Sequence, residues 1–181
     1  GLGKRMIMWA DHVEHEPALL DELPSDVVLC HWNYWSHGEA IAGPVAHMER
    51  SLDAGFEIIA APGVCFAGHV LQPHAVNYAN TDAMIAAAGR LADRGCLGAV
   101  NTWWVPWRGL RDAYLPLVAY TGAALRQGRP IDRKRFCKRF ARGHWGLDAP
   151  AVTRAIWQAT EAALTRDDMQ AYLFDSPADV H

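Results

Sequence analysis

The ten residues DVVLCHWNYW, 26–35, carry the clearest indication of the fold. Val27 to Cys30 form a continuous apolar run, which is typical of a strand buried on both faces in a parallel sheet covered by helices. His31 to Trp35 follow directly and combine three large aromatic side chains with two polar ones. In proteins built from alternating strands and helices, ligands bind at the carboxyl ends of the strands. The stretch therefore predicts a buried parallel strand that ends at a candidate binding site.

Three more apolar runs fit the same alternation of strand and helix. The predicted strands are residues 4–9, 26–32, 56–61 and 96–103, and Pro62-Gly63 is expected to close the third. The predicted helices between and after them are residues 16–22, 43–55, 80–94 and 110–126. Since parallel crossovers are right-handed by rule, these four units predict an α/β fold, either an open sheet or half of a (β/α)8 TIM-type barrel.

Two other segments complete the predicted organisation. The stretch after the third strand, with His69, His74, Asn77 and Tyr78 in it, is predicted to be a long loop with a function of its own or a lid. After Gly128 the pattern changes, and two further helices are predicted over residues 131–142 and 151–164. The interpretation is a half barrel over residues 1–128 and a C-terminal helical extension over residues 129–181.

Composition excludes several classes of partner. The formal net charge is -3, with 17 basic and 20 acidic residues, so we expect no nucleic-acid or membrane partner. No apolar stretch approaches the roughly 20 residues that span a bilayer, and the first residues lack a secretory signal, which predicts a soluble, cytoplasmic chain. The four cysteines are 31 to 41 residues apart without a CxxC pair, so buried reduced thiols are expected rather than disulfides or a zinc site.

Tryptophan is the abnormal feature of the composition, with eight residues. Six of them fall in short clusters that follow predicted strands: Trp9, Trp32, Trp35, Trp103, Trp104 and Trp107. Tryptophan faces stack on the C–H patches of a sugar ring, while carboxylates and amides bind its hydroxyls. The predicted carbohydrate-binding residues are Trp9, Asp11, Trp32, Tyr34, Asn101 and Trp103. Trp35, Trp104 and Trp107 are ranked below Trp9, Trp32 and Trp103 as pocket residues, with Trp35 assigned to packing, and Trp32 is the foremost candidate for sugar contact.

Other chemistries have less support in the sequence. Asp11, His12 and His15 could bind a metal together with His31, as in metal-dependent hydrolases of the α/β barrel type. The chain has no GxSxG motif and no glycine-rich phosphate loop. Glycosidases usually need two carboxylates at strand ends, and Asp11 is the one acid that qualifies. A carbohydrate-binding protein without catalysis is the third alternative, and no cofactor or metal is expected in the preferred interpretation.

Four stretches resemble the later strands of one known family. MIMWADH (6–12), DVVLCHWNYW (26–35), GFEIIAAPGV (55–64) and RGCLGAVNTWW (94–104) are similar to strands 5–8 of the glycoside hydrolase family 20 barrel, the β-N-acetylhexosaminidases. The resemblance implies that the family's catalytic Asp-Glu pair lies upstream of Gly1, so no catalytic residue is expected within the chain. It also implies a mechanism in which the acetamido group of the substrate is the nucleophile and the glutamate is the general acid.

The resemblance also assigns roles to individual residues. Trp9, Trp32 and Trp103 would wall the acetamido pocket, and Asp11 would contact the sugar or support that contact. The chain has Phe66 where the family usually has a tyrosine, and Trp104-Val105-Pro106 where the family often has a glutamate shortly after the last-strand tryptophan. These differences leave open a divergent glycoside hydrolase or a sugar binder without catalysis.

The sequence therefore predicts the C-terminal part of a glycoside hydrolase, inactive alone and bound to a carbohydrate in the whole protein. A half barrel has two exposed sheet edges, which favour pairing with other strands. We accordingly expect the chain to associate with itself or with the missing half of the barrel.

Overall fold

A computed structural model of the chain describes residues 2–65, 75–104 and 111–146. The strands are β1 (Ile7–Trp9), β2 (Val28–Asn33), β3 (Glu57–Cys65), β4 (Cys96–Ala99) and β5 (Thr102–Trp103). The α-helices are α1 (Asp11–His15), α2 (Ala42–Asp53), α3 (Ala75–Leu91), α4 (Arg111–Leu125) and α5 (Arg133–Trp145). Short 3-10 helices cover Pro17–Asp21, Gly38–Ile41 and Ala92–Arg94.

The strands form one parallel sheet in the order β1-β2-β3-β4, and β5 lies beside the end of β3. Each of the first four strands thus pairs with its neighbour in the chain. In the register of the centre, Leu29 pairs with Ile58 and Asn33 with Pro62. The predicted α/β class, a parallel sheet whose strands alternate with helices, is confirmed.

Helices α1, α2 and α3 cover one face of this sheet. Leu29 and Ile58 from the strands are fully buried there against Met48 of α2 and Met84 of α3. Each such side chain contributes about 1.5–3 kcal/mol by its removal from water. Successive side chains of a strand point to opposite faces, and on the other face Ile7 and Leu97 are 59% and 54% exposed. The sheet therefore has one helix-covered face and one face with exposed apolar side chains.

A second apolar cluster joins the end of β3 to α3, α4 and α5. Its members are Val64, Tyr78, Ile85, Tyr114, Leu117, Tyr120, Ala124, Phe136 and Cys137. Asp82 of α3 accepts hydrogen bonds from Arg133 at 2.8 and 3.1 Å and from the Tyr120 hydroxyl at 2.5 Å. The first helix predicted after Gly128 is confirmed as α5, and its N-cap is Asp132, whose side chain accepts from the Arg135 amide at 2.8 Å.

The prediction that Pro62-Gly63 closes the third strand is wrong, because β3 continues through both residues to Cys65. The Pro62 carbonyl accepts a hydrogen bond from the Thr102 hydroxyl at 3.0 Å, and Gly63 pairs with Thr102 in β5. A Cβ atom at Gly63 would lie 2.7 Å from Cδ1 of Tyr34. Glycine is therefore required here for close packing on Tyr34 rather than for a turn.

Three other boundaries differ from the prediction. Asn77 and Tyr78 lie in α3 instead of in a loop, because Tyr78 packs on Tyr120 with ring centroids 5.3 Å apart. The single strand predicted over residues 96–103 is divided into β4 and β5, with register shifts beside β3. The predicted helix over residues 16–22 is a 3-10 helix that follows α1.

Several predicted features lie outside the described residues. They are His69, His74, Trp107, the helix over residues 151–164, and Gly1, upstream of which the catalytic acids are expected. The position of those acids therefore stays a prediction.

Within the described part of the chain, no helix is both long and apolar enough to cross a lipid bilayer. Cys30, Cys96 and Cys137 are buried free thiols, as predicted. Burial raises the pKa of the Cys30 thiol to about 11.

Candidate functional site

Aromatic side chains gather where β1, β2 and β5 end. The ring centroids of Trp32 are 5.0 Å from those of Tyr34 and 6.0 Å from those of Trp35, and those of Trp9 and Trp104 are 6.3 Å apart. We call these five residues the aromatic rim. Trp9, Trp35 and Trp104 are 42%, 48% and 47% exposed, so the rim presents indole surface to solvent.

Hydrogen bonds connect the rim across elements. The Trp32 indole donates to Oδ1 of Asp11 at 3.4 Å, which ties the end of β2 to the start of α1. The Trp104 indole donates to the hydroxyl of Tyr34, which ties the end of β2 to the residue after β5. With the ring contacts, these bonds form a continuous path from Asp11 through Trp32, Tyr34 and Trp104 to Trp9. The rings are therefore held in fixed relative positions.

Tyr34 is the buried member of the rim, with 5% of its surface exposed. Burial raises the pKa of its hydroxyl, and side-chain hydrogen bonds with Thr102 and Trp104 oppose this rise. The hydroxyl is therefore neutral at physiological pH. Its ring packs against Gly63, so the position of the rim depends on the extended β3.

Asn101 and Trp103 occupy a different position from the other predicted residues. Trp103 packs on Tyr114 of α4, with ring centroids 5.2 Å apart, and joins the second apolar cluster. Its indole Nε1 and the Oδ1 atom of Asn101 are buried without a hydrogen-bond partner in the described parts of the chain. The structure thus brings Trp9, Asp11, Trp32 and Tyr34 into one connected group and turns Trp103 towards α4.

Trp35 and Trp104, ranked lower as pocket residues from the sequence, belong to this connected group. Both are about half exposed, and Trp35 has its ring centroid 5.5 Å from that of Tyr34. Their place immediately after β2 and β5 was the available signal in the sequence, since strand ends are where ligand-binding residues concentrate.

Polar side chains beneath the rim hold the turn that follows β2. Asn33 Oδ1 accepts from the Ser36 amide at 2.7 Å, and Asn80 donates to the Ser36 carbonyl at 2.9 Å. Asn77 donates to the Gly63 carbonyl at 3.4 Å. The Asn33 side chain thus supports the backbone that follows Trp35.

A buried polar group that the sequence did not indicate lies on the helix-covered face of the sheet. His31 Nδ1 is 2.7 Å from Glu14 Oε1, and its Nε2 is 3.0 Å from Ser51 Oγ. A histidine between a serine and an acid has the connectivity of a nucleophilic triad. His31 and Ser51 are only 2% and 1% exposed, so a substrate has no access to this hydroxyl. The group joins β2, α1 and α2 as a structural element.

This arrangement also separates the residues of the proposed metal site. His31 points to α2, while His12 and His15 are exposed on α1. Among the described residues, no three His, Cys, Asp or Glu side chains are arranged to hold a metal ion. The set of Asp11, His12, His15 and His31 therefore does not form a metal centre in this structure.

Comparisons with known proteins add no further assignment to this geometry. No family model, curated protein or solved structure matches the chain. The fold and the rim themselves define the class: an α/β protein with a parallel sheet and an aromatic candidate site at the carboxyl ends of its strands.

Proposed function

We propose that the chain is the C-terminal part of a glycoside hydrolase related to the β-N-acetylhexosaminidases, and that it supplies the aromatic wall of the sugar site. The connected aromatic rim is the observation that carries this proposal. Its half-exposed indoles lie at the strand ends, where barrel enzymes bind their substrates. When a sugar stacks on such a surface, little binding free energy is lost in ordering the side chains, because the aromatic rings already contact one another.

The polar atoms beside the rim suit the hydroxyl and amide groups of a carbohydrate. Asp11 keeps one carboxylate oxygen for a ligand while the other holds the Trp32 indole. Asn101 Oδ1, an acceptor, and Trp103 Nε1, a donor, have no hydrogen-bond partner among the described residues, but both atoms are buried and Trp103 is turned towards α4, so the proposal does not rest on them.

The sheet is proposed to be one half of a (β/α)8 barrel, with β1 to β4 as strands 5–8. Sequential parallel strands with α1, α2 and α3 on one face fit this arrangement. The exposed Ile7 and Leu97 would then face the barrel interior. In the described sheet β1 pairs with β2 alone and β4 with β3 alone, and these edges would bind the other half of the barrel.

Catalysis would require carboxylates from a segment upstream of Gly1. Asp11 is one acid bonded to the rim, and a glycosidase needs a general acid paired with a second group. We therefore propose that the chain binds sugar and does not hydrolyse it alone. The mechanism proposed for the whole protein uses the substrate acetamido group as nucleophile and an upstream glutamate as general acid.

The proposal is tested by titrating the chain with N-acetylglucosamine and its disaccharide. Tryptophan fluorescence and NMR detect the binding. Trp32→Ala should abolish binding, and Trp145→Ala at the end of α5 is the matched control that should leave it intact. Absence of binding by the folded wild-type chain would contradict the sugar site. Turnover of an aryl N-acetylhexosaminide by this chain would contradict the upstream position of the acids. Binding without hydrolysis by a longer protein that contains the preceding segment would favour a sugar-binding protein without catalysis.

A further inference from the structure

The turn between α4 and α5 forms a groove far along the chain from the rim residues. Its volume is about 360 Å³, and its walls are Gln127, Arg129, Pro130, Ile131, Asp132, Arg135 and Arg139. Arg129 comes from the turn itself, whereas Arg135 and Arg139 are one helical turn apart on α5. We call this the arginine groove. Three arginines from two elements therefore line one cavity.

Unlike Arg133 and Arg94, these arginines have no carboxylate partner in the part of the chain that the structure describes. Arg133 binds Asp82, and Arg94 binds Asp53 at 2.6 Å. Within the described residues, Arg129, Arg135 and Arg139 make no ion pair. Asp132 is the acid that lines the groove, and its side chain is already engaged with the Arg135 amide as the helix cap. The capacity of the groove for an anion therefore lies in the guanidinium groups rather than in the helix end.

The positive charge is concentrated in this part of the chain. Eight of the 17 basic residues lie between residues 126 and 142, where Asp132 is the single acid. The eight are Arg126, Arg129, Arg133, Lys134, Arg135, Lys138, Arg139 and Arg142. The chain as a whole has a net charge of -3, so its overall acidity conceals a strongly basic region.

This placement of charge is unfavourable for the helix that carries it. Acidic side chains stabilise the first turn of a helix, but the first turn of α5 has no acid and contains Arg133, Lys134 and Arg135. Arg135 and Arg139 add like charges at a spacing of four residues, which also lowers helix stability. Departures from local helix preference of this kind concentrate at functional sites. A bound anion would offset both effects.

We propose that the arginine groove binds a small molecule that carries two or more phosphate groups. Guanidinium forks match phosphate oxygens in pairs, and three of them exceed what a single phosphate needs. The volume lies near the lower end of the roughly 300–1,000 Å³ found for small-molecule sites, which fits a diphosphate better than a polymer. Pro130 and Ile131 supply apolar wall, and the Gln127 amide supplies a donor and an acceptor for the rest of the ligand. This site is independent of the proposed sugar function.

Calorimetric titration of the whole chain with inorganic pyrophosphate, at about physiological ionic strength where diffuse attraction is screened, tests the proposal. We expect one saturable site, and weaker binding of inorganic phosphate. Arg135→Gln and Arg139→Gln should each weaken pyrophosphate binding about tenfold or more, which corresponds to one lost charged hydrogen bond. Lys134→Gln and Lys138→Gln remove the same charge from the same helix outside the groove and should change the affinity by less than about twofold.

Equal losses of pyrophosphate affinity in the lysine and arginine variants would contradict a site in the groove and indicate diffuse electrostatic attraction instead. Absence of saturable pyrophosphate binding by the folded wild-type chain would overturn it as well. Tighter binding of an RNA oligonucleotide or of anionic vesicles, with equal dependence on Lys134 and Lys138, would overturn it in favour of an extended basic surface. Circular dichroism of each variant establishes that the helices are retained.

Discussion

The indole of Trp104 donates a hydrogen bond to the hydroxyl of Tyr34, although 70 residues separate them in the chain. The bond links the end of β2 to the end of β5, whose strands do not pair with each other. It therefore fixes the distance between two walls of the aromatic rim independently of the sheet hydrogen bonds.

Tyr34→Phe removes the acceptor of this bond and leaves the ring in place. We expect a loss of about 1 kcal/mol in the free energy of unfolding, because Trp104 is half exposed and water can replace the hydroxyl in part. Urea denaturation of Tyr34→Phe, Trp104→Phe and the double variant measures the coupling between the residues, which we expect at about 0.5–1.5 kcal/mol. Strictly additive effects would show that the bond contributes no free energy.

Gly63→Ala tests the close packing of β3 on Tyr34. The new Cβ atom would lie 2.7 and 2.9 Å from ring carbons of Tyr34, so the ring or the strand must move. We expect a destabilisation of about 1–3 kcal/mol, as for other overpacked cores. Gly122→Ala in α4 is the control, because its Cβ atom meets nothing within 4 Å and alanine favours a helix. A Gly63→Ala variant as stable as the wild type would contradict the required close approach.

Arg133→Gln should loosen the attachment of α5 to α3. Arg133 and Asp82 are largely buried, and Asp82 also binds the Tyr120 hydroxyl, so we expect a loss of about 2–3 kcal/mol. Arg94→Gln removes an exposed ion pair with Asp53 and should cost less than about 1 kcal/mol. Thermal unfolding measures both, and hydrogen exchange should show faster exchange along α5 in Arg133→Gln alone. Equal effects of the two variants would count against a special role of the buried pair.

The buried thiol of Cys30 should make stability decrease at alkaline pH. Its pKa in the folded state is about 11, above the ordinary value of 9.0. Since the unfolded chain loses this proton first, stability is complete below about pH 9 and declines as the pH rises to about 11, by about 1.4 kcal/mol per unit of pKa difference. Urea denaturation at pH 8 and pH 10 measures this decline, which should be smaller in Cys30→Ala. The same decline in both proteins would assign it to other groups, such as Tyr34.

The strands were predictable because their side chains form short apolar runs, and the run of Val27 to Cys30 indicated β2 directly. The continuation of β3 could not be predicted, since a Pro-Gly pair such as Pro62-Gly63 ordinarily ends a strand. Here the partners that extend it, Thr102 and Tyr34, are distant in sequence. Local pattern therefore indicated where each strand lies, while contacts between strands decided where it ends.

The sequence predicted the location of the candidate site but not all of its contacts. Tryptophans after successive strands indicated a shared rim, because parallel strands end at one edge of the sheet. Alternation along β2 separates His31 from Trp32, but it does not reveal that Glu14 and Ser51 bind His31. Those contacts depend on how α1 and α2 pack on the sheet, which periodicity alone does not specify.

Ser51→Ala distinguishes a structural role of the buried polar group from a catalytic one. The substitution leaves His31 Nε2 without its partner at a site closed to water, so we expect a loss of about 1–3 kcal/mol in the free energy of unfolding. The affinity for sugar, measured by the fluorescence of the rim tryptophans, should not change, because His31 points to the opposite face of β2 from Trp32. Ser51→Cys retains a weak hydrogen-bonding group and should recover part of the stability. Unchanged stability of Ser51→Ala, together with loss of an esterase or glycosidase activity of the wild-type chain, would instead identify Ser51 as a nucleophile that becomes accessible by local opening.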